Sequence, residues 1–174
     1  QLATVRDMRS MTALPAIHAD PVKMSMAMFL TELLCVVVPE GEADEVLFDF
    51  MADSITALDA AVEGAANFHL AFLYRLGRFI GIEPDMGTYR PGMVFDMLEG
   101  IFRPTPPLHR HFLMGDDAEA VRLLSRMRWD NLKAFRLSRN ERRRILSVML
   151  DYYGLHYARL TGLRSMEILG ELFD

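Results

Sequence analysis

Basic side chains are concentrated late in the chain, where their spacing suits contact with an anionic polymer. Between residues 120 and 164 there are eleven Lys or Arg and three Asp or Glu, whereas the rest of the chain carries eight basic and twenty-one acidic side chains. The formal charge of −5 therefore hides a strongly positive segment. Such asymmetry indicates either a surface that faces a polyanion or helices of opposite charge that neutralise each other in the fold.

An aromatic side chain lies within this basic segment. Arg122 and Arg126 are one helical turn apart, and Trp129, the only tryptophan, follows them. If the helix extends to Trp129, the indole lies beside both guanidinium groups, where it can stack on a base while the arginines neutralise phosphates. Alternatively, the indole closes one end of the core and the arginines pair with acidic helices.

A further basic pair occupies the start of the next predicted helix. Arg139 and Arg143 are one turn apart there, and a bound anion would relieve the repulsion between cations and the helix dipole. A solvated charged face is the alternative. The candidate DNA-contacting residues are therefore Arg122, Arg126, Trp129, Lys133, Arg139 and Arg143.

A second candidate site lies on a helix predicted over residues 68–80. This helix is apolar around most of its circumference, but Tyr74, Arg75 and Arg78 form a polar strip. Guanidinium groups over an apolar groove suit a peptide that carries both a hydrophobic side chain and a carboxylate. The alternative is an ion pair with a neighbouring acid, either Asp53 or Asp59.

Two histidines raise the question of a metal site. His109 and His111 share one side of an extended segment and Asp96 and Glu99 lie upstream, so a metal-dependent hydrolase is the third hypothesis. The chain has no HExxH sequence, no cysteine pair, no Ser-His-Asp order and no phosphate- or dinucleotide-binding glycine motif. We therefore predict a binding protein rather than an enzyme, with no catalytic residue, metal or cofactor.

Helical periodicity dominates the chain on both sides of a proline-rich insertion. Helices are predicted over residues 21–38, 43–62, 68–80, 117–129, 139–153 and 165–173, with caps at Asp20, Asn67 and Ser138. Five prolines between residues 82 and 115 prevent a long helix there, and a Glu99-Gly100 turn between the apolar segments Met93-Val94-Phe95 and Ile101-Phe102 indicates a short β-hairpin. We predict a mostly α fold, a bundle of about six helices with this irregular insertion.

Length and composition indicate one globular domain. The 174 residues are 51% hydrophobic and 25% charged, and no apolar stretch is long enough for a membrane span. The single cysteine, Cys35, excludes an internal disulfide and favours a reducing cytoplasm. Because the sequence begins at Gln1 and shows no targeting signal, we expect it to be a piece of a longer protein.

The succession of several short stretches resembles the C-terminal helical region of RecO, the bacterial recombination mediator, in its Bacteroidetes form. No single stretch is specific, but together they cover nearly the whole chain in order. They are Leu14-Pro15 to Pro21, Phe29-Leu30-x-Glu32-Leu33-Leu34, Asn67-Phe68-His69-Leu70 with Gly81, Phe95-Asp96-x-x-Glu99-Gly100-x-Phe102, Tyr152-Tyr153-Gly154-Leu155-His156 and Leu163-Arg164-Ser165-Met166-Glu167-Ile168-Leu169.

The resemblance implies a division of the chain. Residues 1–19 would be a linker from an N-terminal oligonucleotide-binding barrel that this sequence lacks, and residues 20–174 would be the helical domain with its insertion at 82–115. Many family members carry a four-cysteine zinc knuckle at the position of Met86 to Phe112, where this chain has no cysteine. We therefore expect packing to hold this segment in place of zinc.

The resemblance also implies partners. They are single- and double-stranded DNA, RecR and the acidic tail of single-strand-binding protein, with strand annealing and RecA loading as the outcome. A pure protein-interaction scaffold that does not touch DNA is the alternative function.

Overall fold

The computed structural model describes residues 12–38 and 44–157, and this part of the chain forms six α-helices and a small antiparallel sheet. The mostly α fold class is confirmed. The helices are α1 (Pro15–Ala19), α2 (Pro21–Val37), α3 (Glu45–Ala60), α4 (Phe68–Phe79), α5 (Gly115–Ser125) and α6 (Arg139–His156). The strands are β1 (Val94–Asp96), β2 (Ile101–Arg103) and β3 (Phe112–Leu113). None of the described helices is long and apolar enough to cross a membrane.

Short polar side chains start three of these helices, and two of them, Asp20 and Ser138, are predicted caps. The predicted cap Asn67 makes no capping side-chain hydrogen bond, because its amide donates to the Leu132 and Phe135 carbonyl oxygens instead. The Asp20 carboxylate accepts hydrogen bonds from the Val22 and Lys23 backbone N–H groups, and Pro21 occupies the first helical position. Asp44 caps α3 through the Leu47 N–H group. Ser138 starts α6 with a capping box, because its side chain and that of Glu141 bond each other's backbone N–H groups.

Helix α4 is the centre of the core, and its predicted burial is confirmed. Every residue from Phe68 to Leu76 is buried except Arg75, and α3, α5 and α6 all pack against this helix. The buried Tyr153 hydroxyl of α6 donates a 2.6 Å hydrogen bond to the Leu73 carbonyl oxygen. Burial of this phenol raises its pKa well above the usual value, so it stays a neutral donor.

The proline-rich insertion contains the predicted hairpin and one strand more. Strands β1 and β2 pair antiparallel with Phe95 opposite Phe102, and β3 adds on the other side of β1 to give the order β2-β1-β3. The third strand escapes sequence analysis because it has two residues and follows a segment of closely spaced prolines. Tyr152 of α6 fixes the insertion to the helices, since its hydroxyl donates to the Ile82 carbonyl oxygen at 2.8 Å.

A buried carboxylate stands at the centre of this sheet. Asp96 is fully buried, with Oδ2 3.0 Å from Arg103 Nε and Oδ1 3.3 Å from His109 Nε2. The same Oδ1 accepts hydrogen bonds from the Leu98 and Glu99 N–H groups of the hairpin turn. Polar contacts to Asp96 and aromatic packing thus hold the 82–115 insertion, which has no cysteine for a zinc knuckle.

Two boundaries differ clearly from the predicted ones. Residues 15–19, which the sequence assigns to a linker, form α1, and Ile17 is buried in the core. Helix α5 ends at Ser125 instead of about Trp129, because the chain turns there and the Asn131 side chain donates to the Arg126 carbonyl oxygen. The helix predicted over residues 165–173 lies outside the described residues.

Candidate partner cleft and basic surface

The polar strip of α4 lines an open cleft between α3, α4 and the end of α5. The cleft has a volume of about 180 Å³, and its floor combines aromatic and aliphatic side chains with two guanidinium groups. Its lining residues are Phe50, Tyr74, Arg75, Arg78, Phe79, Glu83, Ser125 and Met127. The three residues that the sequence suggests as a peptide groove therefore lie in one concave site.

Trp129 lies beside this cleft and stacks on other aromatic rings. Its ring centroid is 4.5 Å from that of Phe68, with 15° between the planes, and 6.4 Å from that of Phe50. Phe50 in turn stacks on Phe79 at 4.6 Å. The indole is half-buried in this row, and because α5 ends before it, Trp129 does not share a helical face with Arg122 and Arg126.

The two cleft arginines differ in how they are held. The Arg75 guanidinium carbon is 5.5 Å from the centroid of Trp129, a cation–π contact that fixes the side chain over the aromatic row. Arg78 is exposed at the edge of the cleft. Within the described residues neither arginine forms an ion pair, and the Asp59 carboxylate instead accepts a hydrogen bond from the Ile17 N–H group. The ion pair with Asp53 or Asp59 is therefore not formed there.

The cleft is positive, with one acidic side chain on its rim. Burial raises the pKa of Tyr74 to about 12, and the nearby Glu83 carboxylate adds to this shift. The phenol is therefore neutral at physiological pH. Two guanidinium groups against the single carboxylate of Glu83 give the cleft a preference for anionic groups.

The predicted DNA-contacting residues are spread over the surface of α5, the following turn and α6. Arg122 lies 3.7 Å from the Glu119 carboxylate and 5.4 Å from the Tyr89 ring centroid. Lys133 lies 3.6 Å from Glu63 and is well exposed. Arg126, also exposed, forms no ion pair within the described part of the chain.

Arg139 and Arg143 occupy the first turns of α6, as predicted, and both are exposed. Glu141 lies between them, and the Ser138 hydrogen bonds lower the pKa of its carboxyl, so this helix start carries a stable negative charge. Arg142 points differently from both neighbours, because its guanidinium donates a 2.6 Å hydrogen bond to the Leu137 carbonyl oxygen. Arg142 and Arg143 therefore point in different directions, because consecutive residues of a helix are rotated by about 100°.

The residues considered for a metal site have structural partners. His109 contacts the buried Asp96, while its ring centroid is 6.1 Å from that of His111. No group of three potential metal ligands occurs among the described residues. The hydrolase hypothesis therefore has no supporting geometry in residues 12–38 and 44–157.

Sequence reasoning missed five of the residues that line the cleft, namely Phe50, Phe79, Glu83, Ser125 and Met127. Phe50 and Glu83 come from α3 and from the start of the insertion, so only the tertiary fold brings them to α4. The sequence gives no sign that either residue belongs to a site, because Phe50 has the helical spacing of an ordinary core residue and Glu83 follows the end of a helix as an ordinary loop residue does.

Comparison with known proteins assigns the sequence around this cleft to a family. Residues 18–88, which include α2, α3 and α4, match the family described as Recombination protein O C terminal. The DNA repair protein RecO of Phocaeicola vulgatus is 39% identical over 173 residues, 99% of this chain and 72% of that protein. The chain belongs to the RecO family.

Other RecO proteins match over similar lengths. RecO of Azobacteroides pseudotrichonymphae is 34% identical over 174 residues, the whole of this chain and 72% of the relative. RecO of Porphyromonas gingivalis W83 is 42% identical over 161 residues, 91% of this chain and 65% of the relative. No solved structure gives a significant match. The family assignment makes this chain a DNA repair protein of the RecO type, and Tyr74, Arg75 and Arg78 lie within the matched family region.

Proposed function

We propose that this chain is a non-catalytic module of a recombination mediator, which docks protein partners and DNA in order to promote RecA loading and strand annealing. The observation that carries the proposal is the positive cleft of Tyr74, Arg75 and Arg78 beside an aromatic row. Its occupant in this proposal is the acidic C-terminal tail of single-strand-binding protein. RecR is a further proposed partner, for which family membership is the support.

The chemistry of the cleft matches a tail that carries carboxylates and an aromatic side chain. Arg75 is held by Trp129 at 5.5 Å, so little side-chain entropy is lost when it meets a carboxylate. Phe79 and Met127 offer apolar surface next to it. Charge-assisted hydrogen bonds to such a pre-positioned guanidinium are worth about 1.5 to 3 kcal/mol each.

Fluorescence anisotropy with a labelled peptide that ends in acidic residues, an aromatic side chain and a free carboxylate tests the cleft. We expect Arg75→Ala to weaken binding by about 10- to 100-fold, the equivalent of one charge-assisted hydrogen bond. Arg110→Ala, which removes an exposed arginine from the insertion, is the matched control and should leave the affinity unchanged. Equal affinity of the wild type and the Arg75 variant would refute the assignment of the cleft.

For DNA we propose the six residues of the sequence prediction. Arg126, Arg139 and Arg143 are exposed and contact phosphates. Arg122 and Lys133 join them by exchanging exposed ion pairs, which are worth about 0 to 1 kcal/mol, for phosphates. Trp129 contributes through the cleft, because its ring faces are engaged by Phe68 and Arg75.

Titration of labelled single-stranded DNA at two salt concentrations tests this surface. The double variant Arg139→Glu and Arg143→Glu should weaken binding at least about tenfold and flatten the salt dependence, since fewer counterions are released. Arg110→Glu is the control for a single charge reversal elsewhere. Salt-independent binding, or equal binding by the double variant, would remove these residues from the DNA surface.

A pure interaction scaffold is the second candidate function, and ion pairs on the basic surface favour it. Arg144 Nη1 lies 2.9 Å from Asp117 Oδ1, and Arg122 and Lys133 each have a carboxylate partner. Internal neutralisation of this kind lowers the attraction for a polyanion. Under this hypothesis the acidic peptide binds with the expected dependence on Arg75, while DNA does not bind even at low salt.

A further inference from the structure

The surface formed by α2 and α3 has a charge pattern opposite to that of the cleft. Residues 24–74 contain nine Asp or Glu and not one Lys or Arg. On α3, Glu45, Asp49 and Asp53 are exposed, and none of them forms an ion pair within the described part of the chain. Within residues 12–38 and 44–157, these three carboxylates of α3 therefore present negative charge without an ion-pair partner.

An apolar groove runs between these two helices. It has a volume of about 280 Å³, and its walls are almost entirely hydrophobic, with Ala27, Leu30, Leu34, Met51, Ile55 and Phe72 among the lining residues. A second depression of about 540 Å³ adjoins it, shares Phe48 and Met51 with it and includes the acidic residues Asp44, Glu45 and Asp49. Apolar surface and acidic rim are thus continuous.

Large hydrophobic side chains also lie exposed along this surface. Phe48 is 61% exposed, Val46 68% and Met28 54%. Single exposed hydrophobic residues are common, but an apolar groove that has an exposed aromatic side chain at its edge and a polar rim is typical of an interaction site. Phe48 lines both depressions and is therefore the most central of the three.

We propose that the α2–α3 groove docks a basic amphipathic helix of a partner protein. The apolar face of that helix would fill the groove at positions i, i+3, i+4 and i+7, the usual anchors of a helix in a groove. Its Lys and Arg side chains would meet Glu45 and Asp49, which line the adjoining depression. DNA and the acidic tail proposed for the cleft are excluded here by charge, so this site takes a different ligand.

Two other occupants fit the groove less well, one because of its charge and one because its apolar side chains are buried. Residues 158–174 of the same chain carry two arginines and three acidic residues, a composition that an acidic rim repels. A second copy would have to offer its basic helix α6, but the apolar side chains of that helix, such as Ile145 and Met149, are buried in its own core. A separate basic and amphipathic segment satisfies both requirements of the groove.

The test uses the full chain labelled with a fluorophore at Cys35, its single and exposed cysteine, which lies next to the groove residue Leu34. The probe is a designed peptide of roughly 18 residues, or five helical turns, with Leu on one face and Lys on the other. We expect saturable binding. A scrambled peptide of the same composition and a version with Glu in place of Lys should bind at least about tenfold more weakly.

Two threonines give a matched pair of variants for the groove. Thr31 and Thr56 are both exposed on helices, and each hydroxyl donates to the carbonyl oxygen four residues earlier, but only Thr31 lines the groove. Thr31→Trp should fill part of the groove and weaken peptide binding about tenfold or more, whereas Thr56→Trp should bind as the wild type does. Far-UV circular dichroism checks that both variants are folded.

A second pair of variants tests the acidic rim. Asp49→Lys should weaken binding of the Lys peptide several-fold, an effect that rising salt reduces, because rim charges act through screened attraction. Asp151→Lys, which reverses an exposed charge on α6, is the control and should have little effect. The acidic tail peptide should not compete with the Lys peptide, since the two sites differ.

Four results would each overturn the proposal. They are absence of binding, equal binding of the scrambled peptide, full affinity of the Thr31→Trp variant, and a wild-type dimer that this variant dissociates. The last result would identify a second copy as the occupant. Because the acidic peptide and the Arg75 variant are measured separately, failure of this groove leaves the proposed function of the cleft standing.

Discussion

Replacing Asp96 by Asn should reveal how much of the fold depends on a single buried carboxylate. The side chain is fully buried, accepts two backbone N–H groups of the hairpin turn and lies within 3.3 Å of nitrogen atoms of both Arg103 and His109. Asp96→Asn keeps an oxygen for the turn but removes the charge that holds the two basic side chains. The perturbation is therefore electrostatic and nearly isosteric.

The expected loss of stability follows from the exposure of these partners. Breaking a buried ion pair costs about 3 to 5 kcal/mol, because one charge is left without its counter-charge. Here the side chains of Arg103 and His109 are 41% and 31% exposed, so water can take over part of the lost interaction. We therefore expect about 2 to 3 kcal/mol, which corresponds to a melting temperature lower by about 5 to 10 °C.

Urea unfolding followed by far-UV circular dichroism measures this loss, with Asp151→Asn as a surface control that should change stability by less than about 0.5 kcal/mol. A double-mutant cycle with Arg103→Gln isolates the ion pair, and we expect a coupling energy of about 1 to 2 kcal/mol. A loss below about 0.5 kcal/mol for Asp96→Asn, or no coupling to Arg103, would refute the role given to this carboxylate.

Three further changes test the core and the helix termini. Burial lowers the pKa of His69 to about 3, from about 6.5 in the unfolded chain. The free energy of unfolding of the wild type should therefore fall by about 2 kcal/mol between pH 7.5 and pH 5, because the unfolded state takes up a proton in this range. Urea unfolding of His69→Gln should lack this part of the pH dependence. Gly64→Ala should destabilise by more than Gly81→Ala in thermal unfolding, because both have positive φ but a Cβ at Gly64 would come within 2.5 Å of backbone, whereas that at Gly81 meets nothing within 4 Å. Ser138→Ala should cost about 1 kcal/mol and increase amide hydrogen exchange in the first turn of α6, and unchanged exchange there would contradict the capping box.

Helix starts and the burial of α4 could be predicted because their causes are local. A cap such as Asp20 or Ser138 acts on N–H groups two or three residues away, so its signal is complete within a few letters of the sequence. The end of α5 was predicted about four residues too late, because the apolar spacing continues past Ser125 while the side chain of Asn131, beyond the helix, bonds back to the turn. That contact has no periodic signal.

Only part of the cleft could be predicted, because spacing in the sequence relates residues of one helix but not residues of different elements. Tyr74, Arg75 and Arg78 lie on one helix, so their common face follows from helical geometry. Phe50, Glu83 and Trp129 come from three other parts of the chain, and only packing brings them to that face. The expected position of Trp129 beside Arg122 and Arg126 was wrong, because it required α5 to continue to Trp129, and α5 ends at Ser125.

The sequence by itself determined the quantities that neighbouring residues set, namely where most helices begin, that the 82–115 insertion could not form a long helix, and that positive charge gathers in the last third of the chain. The tertiary structure decided which charges remain available. It paired Arg122, Lys133 and Arg144 with carboxylates, placed Arg75 over an indole and left the acids of α3 around an apolar groove. The physical reason is that Coulomb attraction and packing depend on distances in space, which spacing along a chain does not contain.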